Sequence, residues 1–124
     1  MKIKQQKFEV KYYWSPDIYD PWRWKPNDDS VFYLLEMNIG ITGENESDIY
    51  SIIIATPEGI INLNKERIKL PKLYKILLLN QYDWDEVRSV IDEKLAHIKP
   101  SDGQQAYDKL ASIFYWEYEC MTLS

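Results

Sequence analysis

The sequence predicts an α+β fold: one domain in which an antiparallel sheet of about four strands packs on two or three helices, in the order β-β-β-α-β-α-α. Three observations lead there. Period-two alternation of apolar and polar residues dominates the first half of the chain, as in half-buried strands. Helix-start signals followed by apolar stripes at helical spacing fill the second half. The length of 124 residues and 45% apolar content suffice for one hydrophobic core but hardly for two. Strands first and helices later is the α+β signature.

The first strand is expected over about 3–13, where Phe8, Val10 and Tyr12 alternate with Lys7, Glu9 and Lys11. Lysines along it would discourage edge-to-edge pairing at a sheet edge. From Trp14 to Ser30 the prolines Pro16, Pro21 and Pro26 forbid a regular helix or central strand. Val31, Tyr33, Leu35, Met37 and Ile39 then form one apolar face. Residues 48–56 answer it, with Tyr50, Ile52 and Ile54 on one side and Ile49, Ile53 and Ala55 on the other. The polar, glycine-bearing stretch Gly40 to Ser47 between them reads as a hairpin connection.

Thr56-Pro57-Glu58-Gly59 starts a short helix through about Lys65, with Thr as N-cap, Pro in the first position and an acid in the first turn. Leu73 to Leu79 reads as a strand. Asp83-Trp84-Asp85-Glu86 is a capping box, opening a helix whose stripe is Trp84, Val87, Ile91, Leu95 and Ile98. Ser101-Asp102-Gly103-Gln104 reads as a second box after Pro100, opening a helix with Ala106, Leu110, Ile113 and Phe114 inward. Tyr115 to Met121 either extends that helix or makes a last strand.

Composition excludes several functions. The net charge is −5 and the pI about 4.9, a poor basis for gripping phosphate backbones, so no nucleic-acid partner is expected. The lone Cys120 permits neither an internal disulfide nor a cysteine-based zinc site, which fits a reducing compartment. The N-terminal residues are too polar for a secretory signal, and the apolar runs Ile52–Ala55 and Ile76–Leu79 are too short to span a bilayer. A cytoplasmic protein with no membrane partner is the expectation.

No motif for chemistry emerges. His97, the only histidine, falls near a helix C-terminus, where the helix dipole already favours it. Acidic neighbours of Cys120 raise rather than lower a thiol pKa. There is no nucleophile elbow, no phosphate-binding loop and no dinucleotide fingerprint. The carboxylates of the hairpin lack calcium-loop spacing. We therefore expect no catalytic residue, metal or cofactor.

Charge and rings are unevenly placed. Between residues 14 and 60, nine carboxylates face Arg23 and Lys25 alone. Asp17, Asp20, Asp28 and Asp29 share the proline-rich segment with Trp14, Tyr19, Trp22 and Trp24, while Glu44, Glu46 and Asp48 crowd the hairpin. Aromatic anchors bordered by acids suit a cationic protein partner, since Trp, Tyr and Arg dominate interface energetics and charge steers association. The candidate partner-binding residues are Asp17, Asp20, Trp22, Trp24, Asp28 and Asp29, then Glu44, Glu46 and Asp48. Two other readings stand beside this one. A small hydrolase or nucleic-acid-processing enzyme would bind a metal through these carboxylates, and a structural module would use its aromatic residues to form a homodimer.

The sequence also resembles the Immunity protein 8 family of bacterial polymorphic-toxin and contact-dependent inhibition systems. The resemblance is carried by Trp24-Lys25-Pro26 followed by Phe32, by Ile39-Gly40 ending a strand, and by Asp48-Ile49-Tyr50 beginning the next. Thr56-Pro57 opening a helix and Leu77-Leu78-Leu79 leading into Tyr82-Asp83 complete it, over roughly residues 14–119. Where the family favours a large apolar residue after Thr-Pro this chain has Glu58-Gly59-Ile60, and where it favours an early tryptophan in the last helix this chain has Gln104-Gln105-Ala106. The resemblance implies a cytoplasmic, non-enzymatic inhibitor, monomeric before binding. Its partner would be the C-terminal domain of a cognate toxin, expected to be a basic nuclease.

Overall fold

The alternating segments of the first half pair into one sheet, and the helical stripes of the second half cover its inner face. A computed structural model describes residues 6–65 and 75–116, without the side chains of residues 64 and 65. The elements are β1 (Phe8–Trp14), β2 (Phe32–Ile41), β3 (Asp48–Ala55), α1 (Pro57–Lys65), β4 (Ile76–Leu78), α2 (Trp84–Ala96), α3 (Gln104–Ile113) and β5 (Tyr115–Trp116). The expected beginning of the first strand at residues 3–5, the start of the fourth at Leu73 and the tail beyond Trp116 lie outside the described residues, as does Cys120.

The strand order is β1-β2-β3-β4, and β5 also pairs with β3. Pairing is antiparallel with one exception, since β4 runs parallel to β3. The expected α+β fold with its antiparallel sheet is the one observed, β4 being the one parallel strand among the described residues. A parallel neighbour requires a crossover rather than a hairpin, and α1 lies in the connection between β3 and β4. Because β2 fills one edge of β3, β4 and β5 divide the other: Ile53 to Ala55 pair with β4, Tyr50 and Ser51 with β5. The strand reading of Tyr115 and Trp116 is thereby the one realised. Lys75 Nζ donates to the carbonyls of Ala111 and Phe114, fastening the turn where α3 gives way to β5.

The inner face is the apolar set expected from the alternation. Val31, Tyr33, Leu35, Met37 and Ile39 are all at most 3% exposed, and Tyr50, Ile52 and Ile54 join them. Val87, Ile91, Leu95 and Ile98 from α2 and its exit, with Ala106, Leu110 and Phe114 from α3 and its end, close the core from above. Asp83 caps α2 as its sequence predicts, its carboxylate accepting from the Asp85 amide. His97 is the C-cap residue of that helix.

Two local readings are corrected. Ser101 does not cap α3. Pro100 to Asp102 form a 3-10 turn, and Gly103, at φ 63°, stands before the first helical residue Gln104 without a side-chain cap. Proline at the first position fixes a backbone angle suited to a tight turn, so helical geometry starts there and breaks at the glycine. The second correction is in β1. Its register with β2 shifts between Val10 and Tyr12, so Lys11 is an extra residue on the strand. A bulge of this kind reverses the inside–outside phase beyond it. Phe8 and Val10 therefore point inward, but so does Tyr13, packed edge-on against Trp84 at 5.0 Å. Tyr12, expected in the core, is 55% exposed.

Two glycines sit where backbone approaches backbone. A Cβ on Gly40 would meet the Glu46 carbonyl oxygen at 2.2 Å, and one on Gly59 would meet that of Val31 at 1.9 Å. The latter contact explains the Glu58-Gly59-Ile60 sequence after Thr56-Pro57: the first turn of α1 lies directly against the chain entering β2.

Candidate partner interface

The bulge decides what the outer face offers. Beyond Lys11, Tyr12 pairs with Asn38 and Trp14 with Glu36 on β2, and both rings emerge on the side away from the helices. The proline-rich segment then loops beside them. Ser15 is buried, and its hydroxyl accepts from the Asp17 amide. Asp17 Oδ2 accepts from the Leu34 amide at 2.8 Å, occupying a donor of β2 beyond the end of β1. Asp17 is thus a structural surrogate for strand pairing as well as an exposed acid.

At Asp20 the chain turns sharply. Its carbonyl accepts from the amides of Arg23 (2.7 Å) and Trp24 (3.0 Å), and its φ is +35°, a left-handed value uncommon outside glycine. Pro21 is buried beneath the turn. The turn separates two tryptophans that the sequence groups together. Trp22 stays 45% exposed and meets Tyr12 edge-on at 6.5 Å. Trp24 is directed inward, edge-on to Tyr33 at 5.6 Å and Tyr82 at 5.2 Å. The hydroxyls of Tyr33 and Tyr82 lie 2.9 Å apart, and burial pushes both phenols above their usual pKa. Trp24 is a plug at the end of the core.

Tyr12, Trp14, Asp17, Tyr19, Asp20 and Trp22 line one open concavity of about 440 Å³. Trp14 is 47% exposed and Tyr19 93%. Four large rings left in solvent around one depression form the kind of exposed apolar patch that marks an interaction surface. An Asp20–Arg23 contact at 4.0 Å on its rim is solvent-exposed and contributes little stability.

The other candidates are elsewhere. Asp28 accepts from the Ser30 amide, and the Asp29 carbonyl accepts from the Thr56 hydroxyl, so both belong to the junction with α1. Asp29 lines a separate depression with Glu58, Asn80 and Gln81. Glu44, Glu46 and Asp48 surround a third, beside Phe8 and Tyr107. Since Asp17 binds the Leu34 amide near the start of β2 and Phe8 pairs with Ile41 at its end, the hairpin acids lie toward the opposite end of the sheet from the Asp17–Asp20 segment. Nine candidate residues thus fall into three groups and one half-buried plug, Trp24. Tyr12, Trp14 and Tyr19 are not among the candidates drawn from sequence, although Trp14 and Tyr19 belong to the aromatic cluster recognised there. Tyr12-Tyr13-Trp14 carries three consecutive rings, which no regular strand can bury on one face, and that run is the available signal.

Among the described residues, no three His, Cys, Asp or Glu side chains come together as metal ligands, and no helix is long and apolar enough to cross a membrane. Residues 8–120 match the family described as Immunity protein 8. The chain belongs to that family. No curated protein and no solved structure matches it. The family-like motifs have physical reasons: Gly40 permits close backbone approach, Thr56 caps α1, and Trp24 packs at the core end. The exposed rings lie outside the quoted motifs, the nearest being Trp24-Lys25-Pro26.

Proposed function

We propose that this Immunity protein 8 family member neutralises a cognate toxin domain by tight one-to-one binding, acting in the cytoplasm without catalysis. The partner is the C-terminal domain of the toxin, basic and with nuclease activity. One observation carries the reading: Tyr12, Trp14, Tyr19 and Trp22 remain exposed around a depression that also holds Asp17 and Asp20, in a chain whose family is one of toxin antagonists. The rings supply desolvated anchor area and the acids supply attraction for a cationic surface. The metal-hydrolase reading has no ligand cluster to build on among the described residues.

Growth of cells producing the cognate toxin domain tests it. Wild-type protein should restore growth. Trp22→Ala combined with Asp20→Lys should abolish protection at matched expression, whereas Glu44→Lys with Glu46→Lys, at the opposite end of the sheet, should retain it. Full protection by the first pair, or loss confined to the second, would place the interface elsewhere.

A further inference from the structure

The depression beside Asp20 combines large aromatic rings with carboxylates on an open mouth, and that combination selects among occupants. An apolar anchor entering it would desolvate Asp17 and Asp20 without compensation. A phosphate would be repelled by both. A cation satisfies rings and acids together, since ring faces attract positive charge and carboxylates accept its hydrogen bonds. Among cations, the guanidinium is planar, stacks on indoles, forks onto carboxylates and is the more weakly hydrated. The chain's own Arg23 does not fill the role, as its Nη1 stops 4.0 Å from the Asp20 carboxylate with the side chain 79% exposed.

We infer that the depression lined by Tyr12, Trp14, Asp17, Tyr19, Asp20 and Trp22 receives a single arginine side chain of the partner protein, its guanidinium over an indole face and paired with Asp20. The inference rests on the partner-binding reading above and specifies its central contact.

The test uses the intact protein and the probe peptide acetyl-Gly-Arg-Gly-amide, with lysine and citrulline counterparts. Citrulline keeps the shape of arginine and removes its charge. Indole N–H signals in nitrogen–proton correlation spectra report the five tryptophans separately. The arginine peptide should move Trp14 and Trp22, leave Trp24 and Trp84 in place, and act more strongly than lysine, with citrulline inert. Asp20→Asn should erase the effect. Asparagine tolerates positive φ, so that variant removes charge while keeping the turn. In the complex, Asp20→Asn should weaken toxin binding by about tenfold or more. Equal shifts from citrulline or lysine, or no movement of Trp14 and Trp22 up to the solubility limit, would overturn the arginine assignment. Wild-type protection with undiminished protection by Asp20→Asn would also overturn it while leaving the partner-binding reading intact. Failure of the wild type to bind its toxin would remove both.

Discussion

Replacing Thr56 by Val exchanges a hydroxyl for a methyl of nearly equal size at a site only 1% exposed, so its consequences are those of lost hydrogen bonds. Thr56 Oγ1 accepts from the Val31 amide at 3.0 Å and the Gly59 amide at 3.2 Å, and donates to the Asp29 carbonyl. Val31 is itself 1% exposed, so its N–H would be stranded, at a cost of about 1–3 kcal/mol. Loss of the N-cap to Gly59 adds about 1 kcal/mol. Asp29 is exposed, and its carbonyl can turn to water at small cost. Burying a methyl in place of the hydroxyl returns up to about 1 kcal/mol. The net expectation is a loss of about 1–4 kcal/mol, centred on about 2–3, a large part of the stability of a domain this size. In a urea titration the midpoint should fall by about 1–2 M with an unchanged slope. Thr56→Ser, which keeps the oxygen, should lose only about 1 kcal/mol. A Thr56→Val loss below about 1 kcal/mol, or equal losses for both variants, would refute the idea that this hydroxyl clamps the proline-rich segment onto α1. If the clamp is real, amide exchange in residues 29–31 should also accelerate in Thr56→Val.

The bulge in β1 predicts opposite behaviour for neighbouring tyrosines: Tyr13→Ala should cost about 3 kcal/mol through lost packing on Trp84, while the exposed Tyr12→Ala should stay within about 1 kcal/mol. A uniform alternation would reverse the two in chemical denaturation. Burial, followed by the charge of Asp92, raises the Tyr13 phenol from 10.0 to about 12. The folded state therefore holds a proton that the unfolded state releases, and stability should be flat below pH 10 and fall between pH 10 and 12. Tyr13→Phe should make that fall shallower without abolishing it, because Tyr33 and Tyr82 are shifted in the same direction. An identical pH profile for Tyr13→Phe would show that this phenol is not held neutral.

Much of the fold is legible in the chain because its signals are local. The cap at Thr56, the cap at Asp83, the stripe from Trp84 to Ile98 and the paired apolar faces of β2 and β3 each need only neighbouring residues to be recognised. The parallel placement of β4 does not, because three residues cannot declare a direction. The last helix shows a competition the pattern cannot settle: Ser101 has capping chemistry, yet Pro100 draws it into a 3-10 turn.

The candidate interface divides along the same line. The sequence by itself determined that acids and rings are concentrated between residues 14 and 60, because composition and proline content are properties of the chain. It could not rank the rings, because two tryptophans two residues apart differ only in the turn between them. Tertiary structure sent Trp24 into the core beside Tyr33 and Tyr82 and left Trp22 outside. It also used one extra residue, Lys11, to bring Tyr12 and Trp14 to the outer face, and used antiparallel pairing to carry Glu44, Glu46 and Asp48 to the other end of the sheet. The physical reason is that side-chain direction depends on partners far away in sequence: in β1 through its register with β2, and at Trp24 through the Asp20 turn and its packing on Tyr33 and Tyr82.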